Sequence, residues 1–231
     1  MIFRTLPIAI AWVIALTSTA AVSQAAPLPG GPPPQTVKLD QTKYADVDGD
    51  GRLDTVRTYR MGTKGETTTW KVKVTTAKGK TSSVKFSVPI YPGNKLWHGW
   101  ARLDGHRGAE LLFDLHTDDF FTVVVLTWQG NKLQREKAPA RPGWAKHDVD
   151  WSAATETSPS GFRFFTAGGK RFVNVWRADC PFTNTGDCTV KTLRSVWQNG
   201  AWHTSGAVRT TKLSVHATQA RSPLGALLVH P

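Results

Sequence analysis

Trp70-Lys71-Val72-Lys73-Val74-Thr75 alternates apolar with polar side chains, and Val84-Lys85-Phe86-Ser87-Val88 repeats the alternation. A period of two sends successive side chains to opposite faces of an extended chain, so both stretches read as strands with one wet face. Phe120-Phe121-Thr122-Val123-Val124-Val125-Leu126 and Phe172-Val173-Asn174-Val175-Trp176 are more continuously apolar, the pattern of strands covered on both sides. No window of a dozen residues carries a 3.6-residue period. Turn formers punctuate the chain at Lys78-Gly79-Lys80, Tyr91-Pro92-Gly93-Asn94, Gln129-Gly130-Asn131, Ala167-Gly168-Gly169 and Gln198-Asn199-Gly200. The prediction is an all-β domain of antiparallel hairpins.

Hydrophobic residues at 40% and charged residues at 20% exclude a disordered tail, collagen, a coiled coil and a polytopic membrane protein. At the amino end, Arg4, the apolar Leu6–Leu16 and small residues at Ser23 and Ala25 read as an export signal over 1–25, too short to cross a bilayer. A Pro/Gly-rich spacer over 26–36 follows, and the β domain spans 37–231. Export implies a secreted protein, extracellular or periplasmic, with no transmembrane span. An oxidising compartment would pair the two cysteines, Cys180 and Cys188, across a short turn-rich loop.

Asp46-Val47-Asp48-Gly49-Asp50-Gly51-Arg52-Leu53-Asp54 is the strongest motif. A hard cation wants six to eight oxygens, and the carboxylates of Asp46, Asp48, Asp50 and Asp54 with the backbone carbonyl of Arg52 could wrap calcium. Gly49 and Gly51 supply the backbone freedom to fold the loop. An EF-hand is excluded, because position 12 is Arg57 and the following Thr55-Val56-Arg57-Thr58-Tyr59 is β-prone. The loop resembles the calcium loop of FG-GAP and VCBS repeats, the blade units of integrin-type β-propellers. That resemblance implies calcium as cofactor and a small or partial propeller; a β-sandwich or open sheet stack is the alternative.

Asp48–Val56 aligns without gaps on Asp104–Leu112, an offset of 56 residues. Leu126–Leu133 echoes Ser195–Trp202, in each a strand that reaches Trp, Trp128 or Trp197, before a tight turn. Three units are expected, about 45–96, 97–146 and 147–213, with Leu224–Val229 of the tail pairing with Thr36–Leu39 to close a ring. The second loop is degenerate: Arg102 and His106 replace two acids, while Asp104 and Glu110 remain. A guanidinium can satisfy two carboxylates, so Arg102 is expected to stand in for the ion and leave this loop metal-free.

Gly-x-Ser-x-Gly, His-Glu-x-x-His and Walker motifs are absent from the sequence. Asp114-Leu115-His116-Thr117-Asp118-Asp119 gathers Asp114, His116, Asp118 and Asp119, where acid–base chemistry would sit if the protein were a hydrolase of an anionic or glycan substrate. Lys and Arg total 29 against 17 acids, a net +12. Basic residues interleave with aromatics at Trp70–Lys73, Arg141–His147, Phe162–Phe164 and Lys170–Phe172. Outside a cell such charge attracts anionic polymers through a salt-sensitive field. Trp97 and Trp100 are the candidate exposed ligand platform. The leading expectation is a non-catalytic, calcium-binding β module that binds an anionic polymer, glycan or protein at the cell envelope. Sequence-specific nucleic-acid reading is not expected.

Overall fold

The computed structural model describes residues 37–89, 96–115, 120–143, 150–154, 158–181, 186–219 and 230. The expected export signal and proline spacer lie outside these residues. Three antiparallel sheets follow one another along the chain. The first runs in the order β1 (Lys38–Ala45), β2 (Asp54–Lys64), β3 (Thr67–Thr75), β4 (Thr81–Pro89). The second holds β5 (Trp97–Ala101), β6 (Glu110–Asp114), β7 (Phe120–Gln129), β8 (Lys132–Arg135) and β9 (Trp151–Ala154); the third holds β10 (Ser160–Ala167), β11 (Lys170–Asp179), β12 (Asp187–Gln198), β13 (Ala201–Thr204) and β14 (Arg209–Ser214).

The last two sheets share one construction. β8 pairs with the end of β7 and β9 with its beginning, so together they form a broken fourth strand. β13 and β14 divide the edge of β12 in the same way. The echo between Leu126–Leu133 and Ser195–Trp202 is therefore structural. The hairpins β7–β8, β10–β11 and β12–β13 turn through Gly130-Asn131, Gly168-Gly169 and Asn199-Gly200, all at positive φ. Such turns match the right-handed twist of paired strands.

Alternation decides how the sheets stack. Val56, Val72, Val74 and Phe86 of the first sheet pack on Leu111, Phe113, Val124 and Leu126 of the second. The intervening Leu112, Val123 and Val125 face Phe162, Val173, Val175 and Trp202 of the third. The second sheet is thus covered on both faces, as its continuous apolar strands require. Beyond the third sheet, Trp176, Val190 and Cys188 pack with Val215 of the short helix α1 (Val215–Gln219). The architecture is an all-β open sheet stack, and among the described residues no sheet closes into a barrel.

The sheets span 38–89, 97–154 and 160–214 rather than the expected units. The first begins a strand earlier, since β1 pairs with β2 across the acidic loop, and Trp151–Ala154 belongs to the second because it pairs with β7. His230 bridges Trp100 on β5, so that point of the tail meets the second sheet and not β1; the expected Leu224–Val229 pairing with Thr36 falls outside the described residues. Cys180 and Cys188 form a disulfide across the β11–β12 connection, as expected. No described helix is long and apolar enough to cross a membrane.

Candidate functional site

The β1–β2 connection carries the acidic motif. Gly49 and Gly51 take φ of +73° and +84°, curling the loop so that one oxygen each of Asp46, Asp48 and Asp50 lies within 4.8 Å of the others. Backbone amides support the turn: Asp50 N–H donates to Asp46 Oδ1 at 3.1 Å and to Asp48 Oδ1 at 3.2 Å, and Gly51 N–H donates to Asp46 Oδ2 at 2.9 Å. Arg52 is exposed, its N–H donating to Asp50 Oδ1 at 2.9 Å. Lys78 Nζ lies 3.0 Å from Asp50 Oδ2 and holds that carboxyl below its ordinary range.

Asp54 stands apart from this group. It is fully buried, with Oδ2 accepting from Val47 N–H at 2.8 Å and Oδ1 from Ala77 N–H at 2.8 Å. Burial pushes its carboxyl up against the pull of those donors. Expected as a ligand, Asp54 instead closes the loop and ties it to the end of β3. Glu110 repeats the bond 56 residues on, accepting from Leu103 N–H at 2.5 Å, which explains why the alignment preserves an acid there.

The second loop, between β5 and β6, rests directly on the first. Ala109 N–H donates to Asp46 O at 2.8 Å, and a Cβ on Gly108 would sit 2.1 Å from Val47 O. The loop's other neighbour is the third sheet, where Arg171 Nε donates to Leu103 O at 3.0 Å and Nη2 to Arg102 O at 3.2 Å. Arg102 itself is exposed. The guanidinium beside Asp104 and Glu110 therefore comes from β11 and not from Arg102, a long-range placement that local alignment cannot reveal. His106 is exposed, its N–H donating to Asp104 Oδ1 at 2.7 Å.

Sequence reading missed Glu136. It lies within Arg135-Glu136-Lys137, which reads as a solvated charge run, yet it is 3% exposed and joins Asp104 and Glu110 as a second carboxylate group within 4.8 Å. Burial, reinforced by the neighbouring acids, pushes Glu110 and Glu136 well above the ordinary carboxylate range. No local pattern marks it: β8 ends at Arg135, and Glu136 meets its partner Trp202 only across the sheet stack. Glu136 also borders a cleft of about 410 Å³ between the second and third sheets, lined by Gln129, Gln134, Lys137, Trp197 and Trp202.

Trp97 does not form an exposed platform: it is 7% exposed and packs edge-on against Phe113, because its strand turns it toward the first sheet. Trp100 is half-buried, with His230 stacked on it at 4.2 Å. Asp114 ends β6; His116, Asp118 and Asp119 of the candidate hydrolytic group lie outside the described residues.

The outer face of the first sheet concentrates positive charge. Strand register sets Arg57 opposite Lys73, and Lys71 opposite both Tyr59 and Lys85. These residues alternate with core-facing Val56, Val72 and Phe86, so they share the face that looks away from the second sheet. Like charges directly opposite across strands are destabilising. No protein-family model, curated protein or solved structure matches this chain significantly.

Proposed function

We propose that the protein is a secreted, calcium-braced β module that binds an anionic polymer at the cell envelope without acting on it chemically. The observation that carries this reading is the face with Arg57–Lys73 and Lys71–Lys85 in register. A folded sheet that keeps like charges opposed gives up stability, and a polyanion laid across the strands recovers it. The net +12 attracts such a partner from a distance. Calcium enters through Asp46, Asp48 and Asp50, the FG-GAP-like part of the chain, with the Arg52 carbonyl as a further ligand. The disulfide suits an oxidising compartment.

Binding to polyphosphate, with neutral dextran as control, tests the reading. Polyphosphate affinity should fall steeply as salt rises, and a Lys71→Gln/Lys85→Gln variant should bind roughly tenfold more weakly while melting no lower than the parent. Equal affinity in parent and variant would remove the proposed face.

A further inference from the structure

Asp104 and Glu110 flank the second loop and Glu136 follows β8, bringing three carboxylates from separate parts of the second sheet into one buried group. They are 2%, 2% and 3% exposed. Hydrogen bonds satisfy only part of them. Asp104 Oδ1 accepts from His106 N–H, Glu110 Oε2 from Leu103 N–H, and Glu136 Oε1 from Trp202 Nε1 at 2.8 Å. Asp104 Oδ2 and Glu136 Oε2 are shielded from water and have no hydrogen-bond partner among the described residues. A buried acceptor left without a donor is costly, and two in one small group more so. Arg171, the neighbouring cation, spends Nε and Nη2 on the carbonyls of Leu103 and Arg102.

We propose that Asp104, Glu110 and Glu136 hold a hard divalent cation of the calcium class at the junction of the second and third sheets, separate from the exposed loop. Calcium–oxygen bonds of about 2.3–2.6 Å allow two oxygens on one ion to lie up to roughly 5 Å apart, which matches carboxylate oxygens within 4.8 Å of one another. An all-carboxylate set selects calcium, magnesium or manganese over softer metals. Bidentate use of the two unpartnered oxygens raises the ligand count toward calcium's range. Charge balances as well, because a divalent ion and Arg171 together neutralise three carboxylates. Through the Glu136–Trp202 hydrogen bond the ion also braces one sheet against the next.

Calcium calorimetry on chelator-treated, oxidised protein tests the assignment, using the parent, Asp50→Ala and Glu136→Gln. Two ions are expected for the parent and one for each variant. Terbium supplies a second readout: with Trp202 bonded to Glu136, tryptophan-excited terbium emission should persist in Asp50→Ala and disappear in Glu136→Gln. An Asp50→Ala protein that binds no ion and gives no sensitised emission overturns the proposal, and that arm decides even if Glu136→Gln does not fold. A single ion kept in Asp50→Ala and lost in Glu136→Gln supports this site and removes the exposed-loop site instead.

Discussion

At the residue scale, the acids of the first loop divide into two roles that composition cannot distinguish. Asp46, Asp48 and Asp50 converge and are partly open to solvent, whereas Asp54 is buried and saturated by backbone amides. Substitutions should separate the roles. Asp50→Ala should leave the chelator-treated melting point almost unchanged and reduce its rise on adding calcium to the part that the buried site supplies. Asp54→Ala should cost about 3 kcal/mol even without calcium, because Val47 and Ala77 lose their buried acceptor. Differential scanning fluorimetry with and without chelator reads both; an equal calcium response in Asp50→Ala and parent would end the exposed-loop reading. The motif itself was legible because its ligands lie within nine residues. Glu136 and Arg171 were not, because their neighbours are set by strand pairing and sheet stacking, which local spacing does not encode.

At the scale of elements, the sheets communicate through the connections between their first two strands. The first loop rests on the second through Gly49 and Gly108, and Gly105 of the second loop faces Arg171 of β11. A methyl on Gly108 would meet the Val47 carbonyl at 2.1 Å, a backbone contact that no side-chain rotation relieves. Gly108→Ala should therefore destabilise the fold by about 1–3 kcal/mol. It should also weaken calcium binding at the first loop, because the Ala109–Asp46 hydrogen bond shares the strained junction. Gly65→Ala, in the β2–β3 turn, is the control, with open space at its Cβ and a positive-φ cost of its own but no contact with either loop. Calcium titration of the two variants checks this: comparable stability loss in both, with affinity reduced only in Gly108→Ala, is the expected result.

At the scale of the whole molecule, alternation made strands and covered faces legible, while the order of stacking was not, since a period-two pattern states which face is buried but not against what. Phe120–Leu126 illustrates this: its continuous apolar character announced a doubly covered strand, and only the fold shows that one face meets the first sheet and the other the third. A central sheet shared by two cores should make the stack unfold as one unit. Leu111 and Leu112 are adjacent on β6, both essentially inaccessible, and point into opposite cores. Truncating either to Ala should cost about 2–5 kcal/mol. If the cores were independent, each substitution would lower one of two transitions and leave the other in place. Shared through β6, both substitutions should shift a single transition that tryptophan fluorescence and far-ultraviolet circular dichroism report at the same midpoint. Separate midpoints for the two probes in either variant would show that the sheets fold apart, and would leave the ion between the second and third sheets bracing only the later part of the chain.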